Sequence, residues 1–288
     1  MKTIKQVNDI KKRNNIKQAN KIKLEKNIID VKNLTKFYGS FEAVSDVSFS
    51  VKKGEVFAFL GPNGAGKSTT IKILTTLLKF NKGSITINNY DVLKDPNKVR
   101  EFFGIVFQDP SVDEELTAYE NMKIHSVLYS LEKSLAEKRI EKFLKVVELW
   151  DRKDDLVSKF SGGMKRRLEI ARGLLHVPKI LFLDEPTVGL DPQTRKHIWN
   201  YILEINKKEK VTIFFTTHYM DEVEKVANKI AIIDKGKIIE KGTISDFKKQ
   251  TKSKTLEEAF IKITGYNIRE EESSSLDQLR QRRKIRRR

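Results

Sequence analysis

The chain has 288 residues, 39% of them hydrophobic, with no cysteine and a formal charge of +18. That is enough length for two domains, or for one α/β domain with additions, and enough apolar material for a core, so disorder throughout is excluded. Disulfides, thiolate nucleophiles and cysteine-based zinc sites are excluded as well, and no apolar run approaches the roughly 18–20 residues that span a bilayer.

The charge sits at the two ends. Residues 1–26 hold nine Lys/Arg against Asp9 and Glu25, while residues 278–288 hold seven and no acid. Each tail carries +7, and the 251 residues between them only +4. The first tail is Lys/Asn-rich and the second, QLRQRRKIRRR, follows the serine run Ser273 to Ser275, so both read as poorly ordered. Such tails are most often simply solvated. Attraction to anionic lipid headgroups is the functional reading, with nucleic acid behind it. Ile4, Val7, Ile10 and Ile16 are also spaced for a weakly amphipathic helix within residues 4–24. The basic N-terminus lacks the apolar stretch of a secretory signal, which makes the cytoplasm the default location.

From residue 28 to 83, strand-like stretches alternate with turns, among them Val47–Val51 before Lys52-Lys53-Gly54-Glu55. Val56–Leu60 then has the length and apolarity of a buried strand. It leads directly into Gly61-Pro62-Asn63-Gly64-Ala65-Gly66-Lys67-Ser68, which matches G-x-x-x-x-G-K-[ST], and a helical pattern with Ile71, Leu74, Leu77 and Leu78 follows. The glycines let the backbone curl so that several N–H groups point at phosphate oxygens with no Cβ in the way. The positive helix end near Lys67 adds attraction for the anion. Lys67 is placed to reach β- and γ-phosphates, Ser68 to coordinate Mg²⁺, and Thr69 to donate to the α-phosphate. By composition the bare pattern arises on the order of once in a hundred such chains, and the correct flanks lower that further. The segment reads as a nucleoside triphosphate site.

A strand-turn pair follows at Gly83–Asp91, then a strand at Phe102–Phe107. Residues 113–175 change character: Leu116, Met122, Ile124, Leu128 and Leu131, then Ile140, Leu144, Val147 and Leu149, recur at helical spacings. Within this insertion Ser161-Gly162-Gly163-Met164 precedes a basic helix, so Ser161 reads as an N-cap and the helix start as a second anion-binding end. Two such ends exceed what one nucleotide needs. The economical solution is that two chains pair, each completing the other's site.

Ile180–Leu183 is a buried strand ending in Asp184-Glu185. Acids at strand ends are usually just solvated, but here a strand end beside the phosphate loop is where ligands bind in open α/β sheets. Asp184 would hold Mg²⁺ through its water shell, and Glu185 would polarise the attacking water. Gln193–Lys207 reads as a helix, Val211–Thr217 as a strand and Met220–Ala227 as a helix. His218 closes the Val211–Thr217 strand, which is expected to lie beside the other two and would let it sense the γ-phosphate. A lone histidine is otherwise more often structural. Asp234-Lys235-Gly236 joins Ile230–Ile233 to Lys237–Glu240 as a hairpin.

With these motifs in order, the sequence resembles the ABC transporter ATPase family over roughly residues 28–245. The match rests on the phosphate loop, Ser161-Gly162-Gly163, the acid pair and His218. More narrowly, it is similar to the ABC-2 type, daunorubicin-resistance-like export ATPases in Phe107-Gln108-Asp109-Pro110, Ser161–Arg167, Thr217-His218-Tyr219-Met220-Asp221-Glu222 and Leu256-Glu257-Glu258-Ala259-Phe260. Met164 departs from the glutamine of the broad family, which removes any polar role for that side chain.

The resemblance implies a P-loop NTPase of α/β class, with a RecA-like parallel core sheet, an N-terminal antiparallel β subdomain and an inserted helical subdomain. It implies an ATPase domain at 27–245 with the insertion at about 109–175, a small C-terminal addition at 246–268, and basic tails at 1–26 and 269–288. It implies that Gln108 is a Mg²⁺ and water ligand facing the membrane partner, that Tyr38 stacks on adenine, and that Asp191, after Gly189-Leu190, lies in a loop crossing the dimer interface. The cofactors implied are ATP and Mg²⁺. The partners implied are a second copy and a separate transmembrane permease, at the cytoplasmic face of the membrane. A soluble relative acting on nucleic acid or the ribosome fits less well. Lys67 and Ser161 are only 94 residues apart, too close for the long coiled coil of such proteins, and only one ATPase unit is present. An importer ATPase is a subtype alternative.

Overall fold

The computed structural model describes residues 27–265, so the readings made for both basic tails and the 4–24 pattern lie outside the described residues. Two sheets are stacked. The first is antiparallel, ordered β2-β1-β4-β5, from β1 (Asn27–Tyr38), β2 (Phe41–Lys52), β4 (Lys82–Ile87) and β5 (Tyr90–Asp91). The second is ordered β10-β9-β3-β8-β7-β6, from β3 (Val56–Leu60), β6 (Phe103–Val106), β7 (Ile180–Asp184), β8 (Thr212–Thr217), β9 (Lys229–Asp234) and β10 (Lys237–Gly242). Its strands are parallel except β10, which turns back on β9 through Lys235 and Gly236, both at positive φ. This is the mixed α/β architecture with an antiparallel N-terminal sheet and a parallel-rich core sheet.

The central strands are buried on both faces, and the two-residue period of a strand sorts their side chains. Phe57, Phe59, Phe182 and Phe214 point toward the first sheet, where Phe49 of β2 stacks on Phe57 at 5.6 Å and on Phe214 at 5.8 Å. Helix α1 (Lys67–Leu74) packs on the same side through Ile71, Ile73 and Leu74. Val56, Ala58, Leu60, Leu181, Leu183, Ile213 and Phe215 point the other way, into a larger helical core.

Short helix α2 (Pro96–Arg100) leads into β6. Beyond β6 the chain turns helical: α3 (Ala118–Leu128), α4 (Lys133–Val146) and α5 (Gly162–Leu174). A Thr117–Glu120 capping box starts α3, satisfying amides that the helix itself leaves open. Helix α5 returns to the sheet and lies directly on β6. A Cβ built on Gly104 would come within 1.9 Å of the Gly173 carbonyl oxygen, so only glycine permits this approach. Helices α6 (Pro192–Glu209) and α7 (Met220–Val226) complete the layer on that side. The segment read as a C-terminal addition forms α8 (Ile244–Thr251) and α9 (Leu256–Thr264). Phe247, Leu256, Ala259 and Phe260 are buried in the same core as α5 and α6. Among the described residues no helix is long and apolar enough to cross a membrane.

Candidate active site

The site forms where β3, β7 and β8 end. After β3 the backbone loops over the strand end and enters α1 at Gly66, whose φ is +104°. A Cβ there would sit 2.7 Å from the Ala43 carbonyl oxygen, so glycine lets the loop close against β2. Gly61, Pro62 and Ala65 are buried, Asn63 and Gly64 exposed, and Ser68 and Thr69 half-buried in the first turn of α1.

Lys67 is buried, and its Nζ donates to the carbonyl oxygens of Gly61 at 2.8 Å and Pro62 at 3.1 Å. The same ammonium lies 3.2 Å from Glu185 Oε1. The Ser68 hydroxyl donates to Asp184 Oδ1 at 3.2 Å. The phosphate loop and the acid pair, 116 residues apart in sequence from Ser68 to Asp184, are thus one cluster.

The sequence placed the acid pair beside the phosphate loop, but β8 lies between β3 and β7. Helix α1 bridges that gap by carrying Ser68 across the strand end. Thr216 of β8 fills it from below: its hydroxyl donates to Asp184 Oδ1 at 2.5 Å and accepts from the Glu185 amide at 3.0 Å. Sequence reasoning missed this residue. The signal available was the pair Thr216-Thr217 closing an otherwise apolar strand, since hydroxyls buried at a strand end need partners.

Glu185 has φ +49°, a left-handed conformation that costs a non-glycine residue and persists only where surroundings impose it. Its Oε2 lies 3.0 Å from His218 Nδ1. Burial pushes the Glu185 carboxyl up, but the His218 hydrogen bond and the Lys67 charge outweigh it and hold the group below the ordinary glutamate value. A buried, ionised carboxylate therefore stands between two donors at the end of the sheet.

The other singled-out residues stand outside this cluster. Tyr38 ends β1, about half exposed (48%), with Lys36 Nζ 5.2 Å from its ring centroid. Gln108 is exposed, two residues beyond β6. Ser161 caps α5 by accepting from the Met164 amide at 3.3 Å. Gly162 and Gly163 lie against Leu190 and Thr194, so the signature segment packs on the start of α6. Asp191 caps that helix, accepting from the Thr194 amide at 2.9 Å, and its hydrogen bonds to Thr194 hold its pKa below the ordinary aspartate value. A ring of three or more acids and histidines able to cage a metal is absent among the described residues. The hard oxygens of Ser68 and Asp184 fit a Mg²⁺ that keeps water and substrate oxygens as its other ligands.

The profile of the family described as ABC transporter matches residues 44–188, half of the chain. Linearmycin resistance ATP-binding protein LnrL of Bacillus subtilis is 43% identical over 219 residues, which are 76% of this chain and 70% of that protein. Daunorubicin/doxorubicin resistance ATP-binding protein DrrA of Streptomyces peucetius is 39% identical over 79% of this chain and 69% of its own. Methionine import ATP-binding protein MetN 1 of Bacillus cereus is 38% identical over 76% of this chain and 66% of its own. Among solved structures, the dimeric post-hydrolysis state of the ATP-binding cassette MJ0796 bound to ADP and Pi superposes with a TM-score of 0.68 at 28% identity, covering 75% of this chain and 98% of that one. The chain belongs to the ABC transporter family, is similar to its drug-resistance ATP-binding proteins, and carries an ABC-type ATPase domain.

Proposed function

We propose that this chain is the energy-coupling subunit of an exporter. Two copies would enclose two ATP molecules, each nucleotide between one copy's Gly61–Thr69 and the other's Ser161–Gly163. The observation that carries the reading is the single cluster of Lys67, Ser68, Asp184, Glu185 and His218, which gathers phosphate-binding, metal-binding and water-activating groups at one sheet end. Lys67 neutralises β- and γ-phosphate charge, Thr69 donates to the α-phosphate and Tyr38 stacks on adenine. Ser68, Asp184 and Gln108 would hold Mg²⁺, which supplies charge neutralisation at the phosphates. Glu185 orients the attacking water, and His218 reports the γ-phosphate.

The dimeric MJ0796 cassette supports pairing, and the packing of Ser161–Gly163 on the start of α6 supports a shared surface that includes Asp191. Closure around ATP and reopening after hydrolysis would be passed through the segment from Gln108 to Ser130 to a separate permease, with the chain held peripherally at the cytoplasmic face of the membrane. LnrL and DrrA favour a drug, antibiotic or lipid-like substrate moving outward. The basic tails would add contact with anionic lipid. The similarity to MetN 1 supports import as the second reading.

Two measurements test this. ATP turnover per molecule falls on dilution below the dimer range, and falls again with Ser161→Trp. Detergent extracts of the native membrane yield this chain together with a polypeptide of several apolar spans. Turnover per molecule that stays flat on dilution and normal in Ser161→Trp refutes the shared site. Co-purification with a dedicated substrate-binding protein would mark an importer.

A further inference from the structure

The turn that presents Glu185 is held by a residue from a distant helix. Arg166 lies in α5, 7% exposed, and its guanidinium faces the end of β7. Its Nε donates to the Pro186 carbonyl oxygen at 2.6 Å, and one terminal nitrogen donates to the carbonyl oxygens of Glu185 at 3.0 Å and Asp184 at 3.3 Å. The other terminal nitrogen reaches the Phe107 carbonyl oxygen and the Glu169 carboxylate. Three consecutive carbonyls of the Asp184-Glu185-Pro186 turn, and the carbonyl just before Gln108, therefore converge on one planar cation.

We propose that Arg166 is a positioning residue for ATP hydrolysis, bracing the turn that aims the Glu185 carboxylate and tying that turn to the signature helix. Glu185 adopts a left-handed φ, and such a conformation needs an external hold. A buried carbonyl must be satisfied, and past the end of β7 only the Val188 amide, at 3.3 Å from the Glu185 carbonyl oxygen, shares this work with Arg166 among the backbone bonds of the turn. A guanidinium supplies five donors in a fixed fork, whereas an ammonium is a compact point charge that cannot span the same acceptors. Glu169 balances the buried charge at 3.1 Å. Its other oxygen accepts from the Ser111 amide at 2.6 Å, which extends the brace to the loop after Gln108. Ser161 and Arg166 lie on one helix, so the signature end and the catalytic turn of one chain move together. In the dimer proposed above these belong to different ATP sites.

The test uses the full chain with Arg166→Met, which keeps the apolar stem. Turnover, KM for ATP and equilibrium binding of a fluorescent ATP analogue are read side by side. We expect kcat to fall about 10–100-fold, because small misplacement of a reacting group has effects of that order. KM and analogue binding should change by less than about threefold, since the loop and Lys67 keep their contacts. Arg166→Lys should lose at least about fivefold in kcat with the same unchanged binding, and it decides the matter if Arg166→Met does not fold. A folded variant with kcat within twofold of the parent overturns the proposal, as does a parallel loss of kcat and nucleotide affinity. The inference rests on the role proposed for Glu185, so Glu185→Gln is measured alongside. Retained turnover there refutes that role itself, whereas an inactive Glu185→Gln beside a normal Arg166→Met refutes the brace alone.

Discussion

Glu185→Gln keeps the shape of the side chain and removes its charge, and the surroundings set what each loss costs. In the parent, Oε1 faces Lys67 at 3.2 Å and Oε2 faces His218 at 3.0 Å. An amide has one accepting oxygen, so one of the two donors is left facing an NH₂ group. Stranding a buried charge costs about 3–5 kcal/mol, but Lys67 keeps the carbonyl oxygens of Gly61 and Pro62, so the expected loss is about 1–3 kcal/mol. Because the folded-state pKa of Glu185 lies below the ordinary value, its contribution is complete above the unfolded pKa. It is then lost as pH falls through the folded one. The stability gap between parent and variant is therefore widest near pH 7 and closes below about pH 4, while other carboxylates titrate alike in both and cancel. Turnover should fall about 10²–10⁴-fold, the usual contribution of a positioned base, with nucleotide still bound and the ATP-bound dimer accumulating. Urea unfolding across pH, steady-state ATPase rates and size-exclusion chromatography with ATP measure all three. A gap that does not depend on pH, or turnover within a few-fold of the parent, refutes the reasoning.

Lys67→Ala removes charge-assisted contacts worth about 1.5–3 kcal/mol, so equilibrium titration should show nucleotide affinity weakened about 10–150-fold. Phe214 is fully buried, with the rings of Phe57, Phe182, Phe49 and Phe59 at 5.5–5.8 Å, and Phe214→Ala should cost about 3–5 kcal/mol in chemical denaturation. His176 stacks on Tyr129 at 3.8 Å, and burial lowers its pKa to about 4. The neutral ring favours the folded state above the ordinary histidine value, and that advantage drains away as pH falls toward 4. His176→Gln should therefore lose about 1–3 kcal/mol less stability than the parent between pH 6.5 and 4, read from denaturation midpoints.

Features written in contiguous residues were legible from the chain alone. The Gly61–Ser68 cradle needs only a strand, a glycine-rich turn and a helix in succession, and these stand in the order read. The helix expected at Gln193–Lys207 occupies Pro192–Glu209, and the hairpin expected at Asp234-Lys235-Gly236 turns through Lys235 and Gly236 at positive φ. Backbone hydrogen bonding and turn chemistry act over a few residues, so local sequence suffices for them. The Val211–Thr217 strand stands beside the other two as expected, since β8 neighbours both β3 and β7, but the burial of Phe247, Leu256, Ala259 and Phe260 in the main core was not legible. Thr216 under Asp184 and Arg166 across the Asp184–Pro186 carbonyls belong to the same class. Those contacts join residues 18 to 32 positions apart, and which partner a buried polar group finds depends on how helices cross the sheet. Sequence determined which chemical groups the protein owns and the local shapes that carry them. Only packing decided which groups meet, because burial forces every donor and acceptor to settle with whatever neighbour the folded layers bring near.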